Sequence, residues 1–171
     1  MRILLKRILS VKLKVMEVLT YNRKAKFDYD ILETFEAGLV LKGHEVKSIK
    51  TGHVSLKGSY VSVISKKSNL PELYLIKAHI SLYKQAGNVK DYDPERPRKL
   101  LLKKNEIKHL IGKKQEQGLT LVPLKIYTKH NFIKMEFGIG RGKKKYDKRE
   151  DIKKREVGRK LNALTKMRMK S

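Results

Sequence analysis

The sequence predicts a mainly-β protein, a small antiparallel barrel with short flanking helices and a basic C-terminal tail. Three observations carry that prediction. Short apolar segments with strand periodicity recur through the middle of the chain, and only two short segments there have helical spacing. After Gly140 the strand signal stops and basic residues crowd together. At 171 residues the chain is in the range of one domain.

The first stretch, MRILLKRILSVKLKV, fits two periodicities. Leu4, Leu5 and Ile8 suit a helix face, whereas Leu9, Val11, Leu13 and Val15 alternate as in a strand. It begins like a signal peptide, but Lys6, Arg7, Lys12 and Lys14 interrupt the apolar run that such a peptide needs. Met16 stands where an ordinary protein start would. Residues 1–15 are therefore expected to be a disordered arm or no part of the natural product, and residues 1–19 are set apart as a basic extension.

Asp28–Phe35 reads as a strand with Tyr29, Ile31 and Glu33 on one side. Glu36–Ile49 carries Leu39, Val46 and Ile49 on one helical face, with Gly38 and Gly43 accounted for by close backbone packing. Ser59–Ser65 and Leu73–Ile80 are expected strands, joined by a Lys-Ser-Asn-Leu-Pro turn at 67–71. Lys84–Pro97 has no periodicity and holds Gly87, Asn88 and two prolines; a loop of this length favours a functional role. Asn105–Lys114 is a short helix with Ile107, Leu110 and Ile111 inward. Gly118–Thr128 and Phe132–Gly140 form the clearest hairpin: Ile133, Met135, Phe137 and Ile139 alternate with Lys134, Glu136 and Gly138. Short strands in this number favour a barrel over a layered α/β fold. The folded core is assigned to residues 20–145 and the tail to 146–171. In the tail Ile152, Val157, Leu161, Leu164 and Met167 follow one helical side, but a helix this polar is marginal alone, so it is expected to be disordered when free and to fold on a partner.

Forty-two Lys and Arg against seventeen Asp and Glu leave a formal charge of +25. Residues 1–26 hold eight basic and one acidic residue, 27–140 twenty and twelve, and 141–171 fourteen and four, so both ends are basic beyond their share. A polyanion is the expected partner, with the ends as phosphate-seeking arms. No cysteine is present, which removes disulfides, thiolate nucleophiles and cysteine metal sites and is compatible with a reducing cytoplasm. No apolar run approaches the roughly 18 residues of a membrane span.

Catalytic patterns are weak. His44, His53, His79, His109 and His130 have no metal-ligand spacing. Gly140-Arg141-Gly142-Lys143-Lys144 lacks the phosphate-loop spacing and reads as a hinge followed by phosphate-binding lysines. Asp28, Asp30, Glu33 and Glu36 offer no matched acid and base. No enzyme, metal or cofactor is expected. Glu45, set among lysines in Glu45-Val46-Lys47-Ser48, has two readings: an intramolecular ion pair, or a carboxylate that meets base edges or orients a cation beside RNA. Tyr60, Tyr83 and Tyr92 could stack on bases, although strand tyrosines are usually core. Tyr146, flanked by Lys143-Lys144-Lys145 and Asp147-Lys148-Arg149 in a segment without a core, is the better stacking candidate.

Five stretches together resemble the bacterial SsrA-binding proteins, also called small protein B. They are Asn22-Arg23-Lys24-Ala25, EAGLVLKGHEVKSIKTG at 36–52, Asp93–Arg96 with Arg98–Leu102, GLTLVPLKIY at 118–127 and GRGKKKYDKREDIKKR at 140–155, in order and at compatible distances. The resemblance implies an antiparallel barrel of the oligonucleotide-binding type with outer helices and a basic tail. It also implies a non-catalytic, cytoplasmic role: binding the tRNA-like domain of transfer-messenger RNA and bringing it to stalled ribosomes. There the tail would enter the vacant mRNA path near the decoding centre of the small subunit. Neither membrane nor DNA is expected as a partner.

Carried onto this chain, the RNA-binding residues would be Asn22, Arg23, Lys24, Glu45, Lys47, Arg98, Lys99, Leu101, Lys103, Arg141, Lys143 and Lys144. The ribosome-binding tail would use Tyr146, Asp147, Lys148, Arg149, Ile152, Lys153, Lys154 and Arg155. Lys103 stands where the family commonly has His or Asn, which exchanges a base contact for a phosphate contact, and Phe27 replaces a frequent His as a packing change. A structural ribosomal protein or assembly factor is the alternative that composition leaves open.

Overall fold

The computed structural model describes residues 16–65, 71–87, 89–114 and 118–168. The expected turn at 67–71 lies mostly outside them, as do residues 1–15. In chain order the elements are β1 (Glu17–Tyr21), α1 (Ala25–Asp28), β2 (Tyr29–Leu39), α2 (Gly43–Lys50), β3 (Val54–Ser55), β4 (Tyr60–Ile64), β5 (Glu72–Ile76), β6 (His79–Ile80), β7 (Arg98–Leu101), α3 (Lys104–Lys114), β8 (Leu119–Lys129), β9 (Phe132–Gly142) and α4 (Lys145–Arg168). The described chain is thus mainly β with flanking helices. Seven strands form one antiparallel sheet in the order β1-β8-β4-β5-β7-β2-β9, with β8 also paired to β9, and β3 pairs with β6 separately.

The β8–β9 hairpin runs from Leu119↔Arg141 to Lys129↔Phe132. His130 and Asn131 close it with φ of 50° and 68°, the left-handed pair that matches strand twist in a two-residue turn. Pro123 has no N–H for the ladder, and the register shifts between Pro123 and Lys125, leaving Leu124 as a bulge. The freed carbonyls are used by Asn22: its side-chain amide donates to Pro123 O at 2.9 Å and its backbone N–H to Leu124 O at 2.7 Å. Leu124 turns to a small apolar cluster with Ala25 and Val122. The main core joins Leu73, Leu75, Leu100, Ile126, Met135 and Phe137 of the sheet to Ile49 of α2 and Leu110 of α3. Phe35 stacks on its cross-strand partner Phe137 with centroids 5.7 Å apart.

Several expectations hold. Helix α3, both hairpin strands and β4 lie where periodicity put them, and 81–97 has no helix or strand among its described residues. The helix expected over 36–49 is corrected. Glu36, Ala37 and Gly38 continue β2 opposite Glu136, Met135 and Lys134, and Gly38 and Leu39 also pair with Leu101 and Leu100, so the helix begins only at Gly43. Ladder bonds on both edges outweigh the helical spacing of three apolar residues. The strand expected over 73–80 is broken at Lys77, whose φ is 54°. A second bulge, at Leu32, takes Glu33 off the inward side of Tyr29 and Ile31. Strands β1, β3 and β7 have no counterpart in the sequence reading, and the boundary set at residue 20 falls inside β1.

Where β2 crosses β9 the backbones meet closely. A Cβ on Gly138 would lie 2.7 Å from Ile31 Cγ2 and 2.9 Å from Glu33 O. Gly138→Ala is therefore expected to lower unfolding stability by about 1–3 kcal/mol, with a lower urea midpoint and an unchanged slope.

Candidate RNA-binding surface

Three helices begin with the same local device, a lysine N-cap whose backbone N–H donates to an acidic side chain three residues on. Lys103 N–H meets Glu106 Oε2 at 2.8 Å, Lys144 N–H meets Asp147 Oδ2 at 3.0 Å, and Lys42 N–H meets Glu45 Oε2 at 2.7 Å. In α2 the acid has further partners. Glu45 Oε1 accepts from Arg96 Nε and Arg98 Nε, both at 2.9 Å, and lies 2.8 Å from Arg98 Nη2, while Arg96 Nη2 pairs with Oε2. Arg98 Nη1 donates to Ala78 O at 2.7 Å and Arg96 O at 3.1 Å, and Nη2 to Pro94 O at 2.9 Å. The guanidinium thus makes four hydrogen bonds besides its ion pair with Glu45. Burial pushes the Glu45 carboxyl up, but the Arg96 hydrogen bonds, the Lys42 N–H and the Arg98 charge outweigh it and hold it below the usual range.

This cluster secures the long loop. Ile80 N–H donates to Pro94 O at 3.0 Å, Tyr92 OH to Ile80 O at 2.6 Å, and Ser48 Oγ to Ser81 O at 2.6 Å. The His44 and Tyr92 rings meet edge to face at 5.2 Å. Burial and then the Glu45 charge push the Tyr92 phenol up.

Elsewhere on the sheet, carboxylates quench the lysines nearest them. Glu36 binds Lys134, Lys129 and the Tyr127 hydroxyl, Glu136 holds Lys125 at 2.8 Å, and Glu72 holds Lys99. The Lys134 hydrogen bond, followed by that of Tyr127, brings the Glu36 carboxyl down from 4.5 to about 2.

The expected RNA-contact residues fall into two groups at opposite ends of β2. At one end Lys47 is exposed on α2, Leu101 is 54% exposed beside Gly38, and Lys103 caps α3. Glu45 and Arg98 belong to this end but are both 0% exposed. Of the two readings of Glu45, the structure shows the intramolecular ion pair, and through it both residues hold the loop. Lys99 is bound to Glu72. At the other end Arg23 and Lys24 are exposed, Asn22 is occupied by the β8 bulge, and Arg141 pairs in register with Asp30. Lys143 N–H donates to Asp28 O at 2.9 Å. Lys144 caps α4 through Asp147. Lys148 binds Asp28 at 2.7 Å and lies 5.8 Å above the Phe27 ring, so Phe27 joins the root of the tail. Tyr146 is 70% exposed, Ile152 is 42% exposed, and Arg149 and Lys153 are exposed. The backbone of Lys154 and Arg155 is helical, while their side chains lie outside the described residues.

Sequence reasoning did not weigh Arg96 as a partner of Glu45, although Arg96 and Arg98, two apart, offered the signal. It also left out Lys57 and Tyr21, which flank Asn22–Lys24 in space. Among the described residues no group of three His, Asp or Glu is placed to hold a metal ion, and no helix is long and apolar enough to cross a membrane.

The family model described as SmpB protein matches residues 19–167. The chain belongs to the SmpB, or SsrA-binding protein, family. The SsrA-binding protein of Chloroflexus aggregans is 48% identical over 162 residues, 95% of this chain and 99% of its own length. That of Geobacillus thermodenitrificans is 51% identical over 154 residues, 90% and 96% of the two chains, and that of Thermosipho africanus 48% over 152 residues, 88% and 98%. A solved chain described as "tmRNA-SmpB: a journey to the center of the bacterial ribosome" superposes with a TM-score of 0.59 at 46% identity, covering 74% of this chain and 85% of that one. The strand and helix arrangement of this family member is accordingly OB-like.

Glu45→Gln removes the charge facing two guanidinium groups, one of them buried. Stability is expected to fall by about 3–5 kcal/mol, with faster amide exchange across 81–97. Glu36 and Glu45 both have folded pKa values below the unfolded ones, so their contribution is complete above pH 4.5 and is lost on acidification. For Glu36 the loss spans pH 4.5 to about 2. Urea denaturation across that window should show declining stability, and Glu36→Gln should flatten the decline.

Proposed function

We propose that this chain is a non-catalytic RNA-binding protein that takes the tRNA-like domain of transfer-messenger RNA to stalled ribosomes for rescue and nascent-peptide tagging in the cytoplasm. The observation that carries this reading is the family match from residue 19 to 167, which spans both the body and the tail helix. The body works as a closed barrel. In support, strand pairings run from β8 through β4, β5, β7, β2 and β9 back to β8. Lys47 and Lys103 at one end, with the exposed apolar Leu101, and Arg23, Lys24, Arg141, Lys143 and Lys144 at the other, give it two cationic faces for folded RNA.

The tail has a separate task. Its exposed Tyr146, Ile152, Val157 and Leu161 have no core to join, while Lys148 ties only its first turns to α1. Beyond that tie the helix is marginal in the free protein, since each ordered residue costs about 1–2 kcal/mol of backbone entropy. It folds against ribosomal RNA in the vacant mRNA path, Tyr146 stacking near the decoding centre, with Arg149, Lys153, Lys154 and Arg155 on phosphates.

Truncation after Lys144 is expected to leave the body folded and most affinity for a tRNA-like transcript intact, while tagging on stalled ribosomes collapses. Ile152→Asp should impair tagging with a charge change of one unit. Full tagging by the truncated protein would sink the division of labour, and complete loss of RNA binding would move the tail into the primary interface.

A further inference from the structure

A cleft of about 590 Å³ opens between the turn after β1, helix α1 and the turn before β4, with Leu121 and Val122 of β8 as its floor. A smaller one of about 230 Å³ adjoins it across Asn22, Lys24 and Lys57. The larger is in the size range of small-ligand sites. Its rim is cationic, in contrast to the lysines in the middle of the sheet. Arg23, Lys24 and Lys57 are exposed and make no ion pair among the described residues, whereas Lys99, Lys125, Lys129 and Lys134 are each held by a carboxylate. Asp28, the one acid on the cleft wall, is neutralised by Lys148 at 2.7 Å.

Aromatic surface accompanies the charge. Tyr60 is 44% exposed on the cleft and Tyr21 is 62% exposed at its smaller neighbour. Lys57 and Tyr60 project from a tightly bonded turn: Gly58 has φ of 75°, and Ser59 donates from both its N–H, at 3.2 Å, and its Oγ, at 2.7 Å, to Leu56 O. An exposed ring carried on a bonded turn beside a concave apolar floor, flanked by ammonium groups, suits an unpaired base better than a duplex. Single-stranded nucleotides are recognised by stacking and phosphate contacts, whereas an A-form duplex presents a shallow minor groove.

Resting on the RNA-binding reading above, we propose that this cleft is a site for one unpaired nucleotide of the partner RNA, its base stacked on Tyr60 and its flanking phosphates on Lys24 and Lys57. Arg23 takes the next phosphate along. Because Lys148 neutralises the Asp28 wall, the root of the tail helix sets the charge of the cleft.

The test uses the full chain, a transcript of the tRNA-like domain, and binding measured at several salt concentrations, with melting curves to verify folding. Tyr60→Ala should weaken binding about 5- to 100-fold and Tyr60→Phe should restore it. Lys57→Ala should lower affinity and reduce the slope of log affinity against log salt by about one. A photo-crosslinking phenylalanine analogue at position 60 should attach to an unpaired nucleotide. If Tyr60→Ala melts early, Tyr60→Leu takes its place with the same expected loss. Wild-type affinity in the ring-less variant, or crosslinks confined to paired nucleotides, overturns the cleft proposal and leaves the broader function standing. Failure of the wild-type chain to prefer the transcript over an unrelated duplex RNA overturns the broader function instead.

Discussion

The carboxylate of Glu45 holds a buried guanidinium inside a protein whose net charge is +25. Removing Arg98 from water is costly, and a neighbouring cation, Arg96, adds repulsion. The arrangement persists because Glu45 faces both, and because backbone carbonyls of residues 78, 94 and 96 accept hydrogen bonds from Arg98. Such a cluster specifies geometry more than it adds stability. It brings together the start of α2, the start of β7 and the end of the long loop, three segments separated by as many as 53 positions in the chain. Its removal deprives the loop of its charged anchor and leaves the exposed residues of α2 and β7 without a common frame.

Acidic residues are few, and their positions decide where the positive field remains. Glu45, Glu106 and Asp147 occupy the first turns of helices, where they meet free N–H groups and the positive end of the helix dipole. Glu36, Glu72 and Glu136 lie on strands and pair with lysines across the ladder. The middle of the sheet is thereby partly neutralised, while Lys47 at one end of β2 and Arg23 and Lys24 at the other are exposed and make no ion pair among the described residues. Phosphate attraction is then directional as well as strong, and its dependence on salt should differ from one end to the other.

The tail is joined to this frame by a short bridge. Lys148 contacts both Asp28 and Phe27, and Lys143 N–H bonds Asp28 O, so the start of α4 is tied to α1 by side chain and backbone together. Phe27 offers the ammonium an aromatic face. Past this bridge the described apolar side chains Ile152, Val157 and Leu161 of α4 are exposed.

The sequence by itself determined the features that depend on near neighbours. Alternation at 133–139 specified β9, apolar spacing at 107–111 specified α3, and the density of lysines specified a polyanionic partner. The ordered motifs identified the family. Tertiary structure alone decided whether Glu36–Leu39 would be strand or helix, because the answer lay in pairing with β9, about 100 positions along the chain, and with β7, about 60 positions along it. It also decided that Glu45 and Arg98 are interior residues. A carboxylate among lysines looks the same in sequence whether it faces RNA or a guanidinium, and only the fold determines which cation is brought within 3 Å of it.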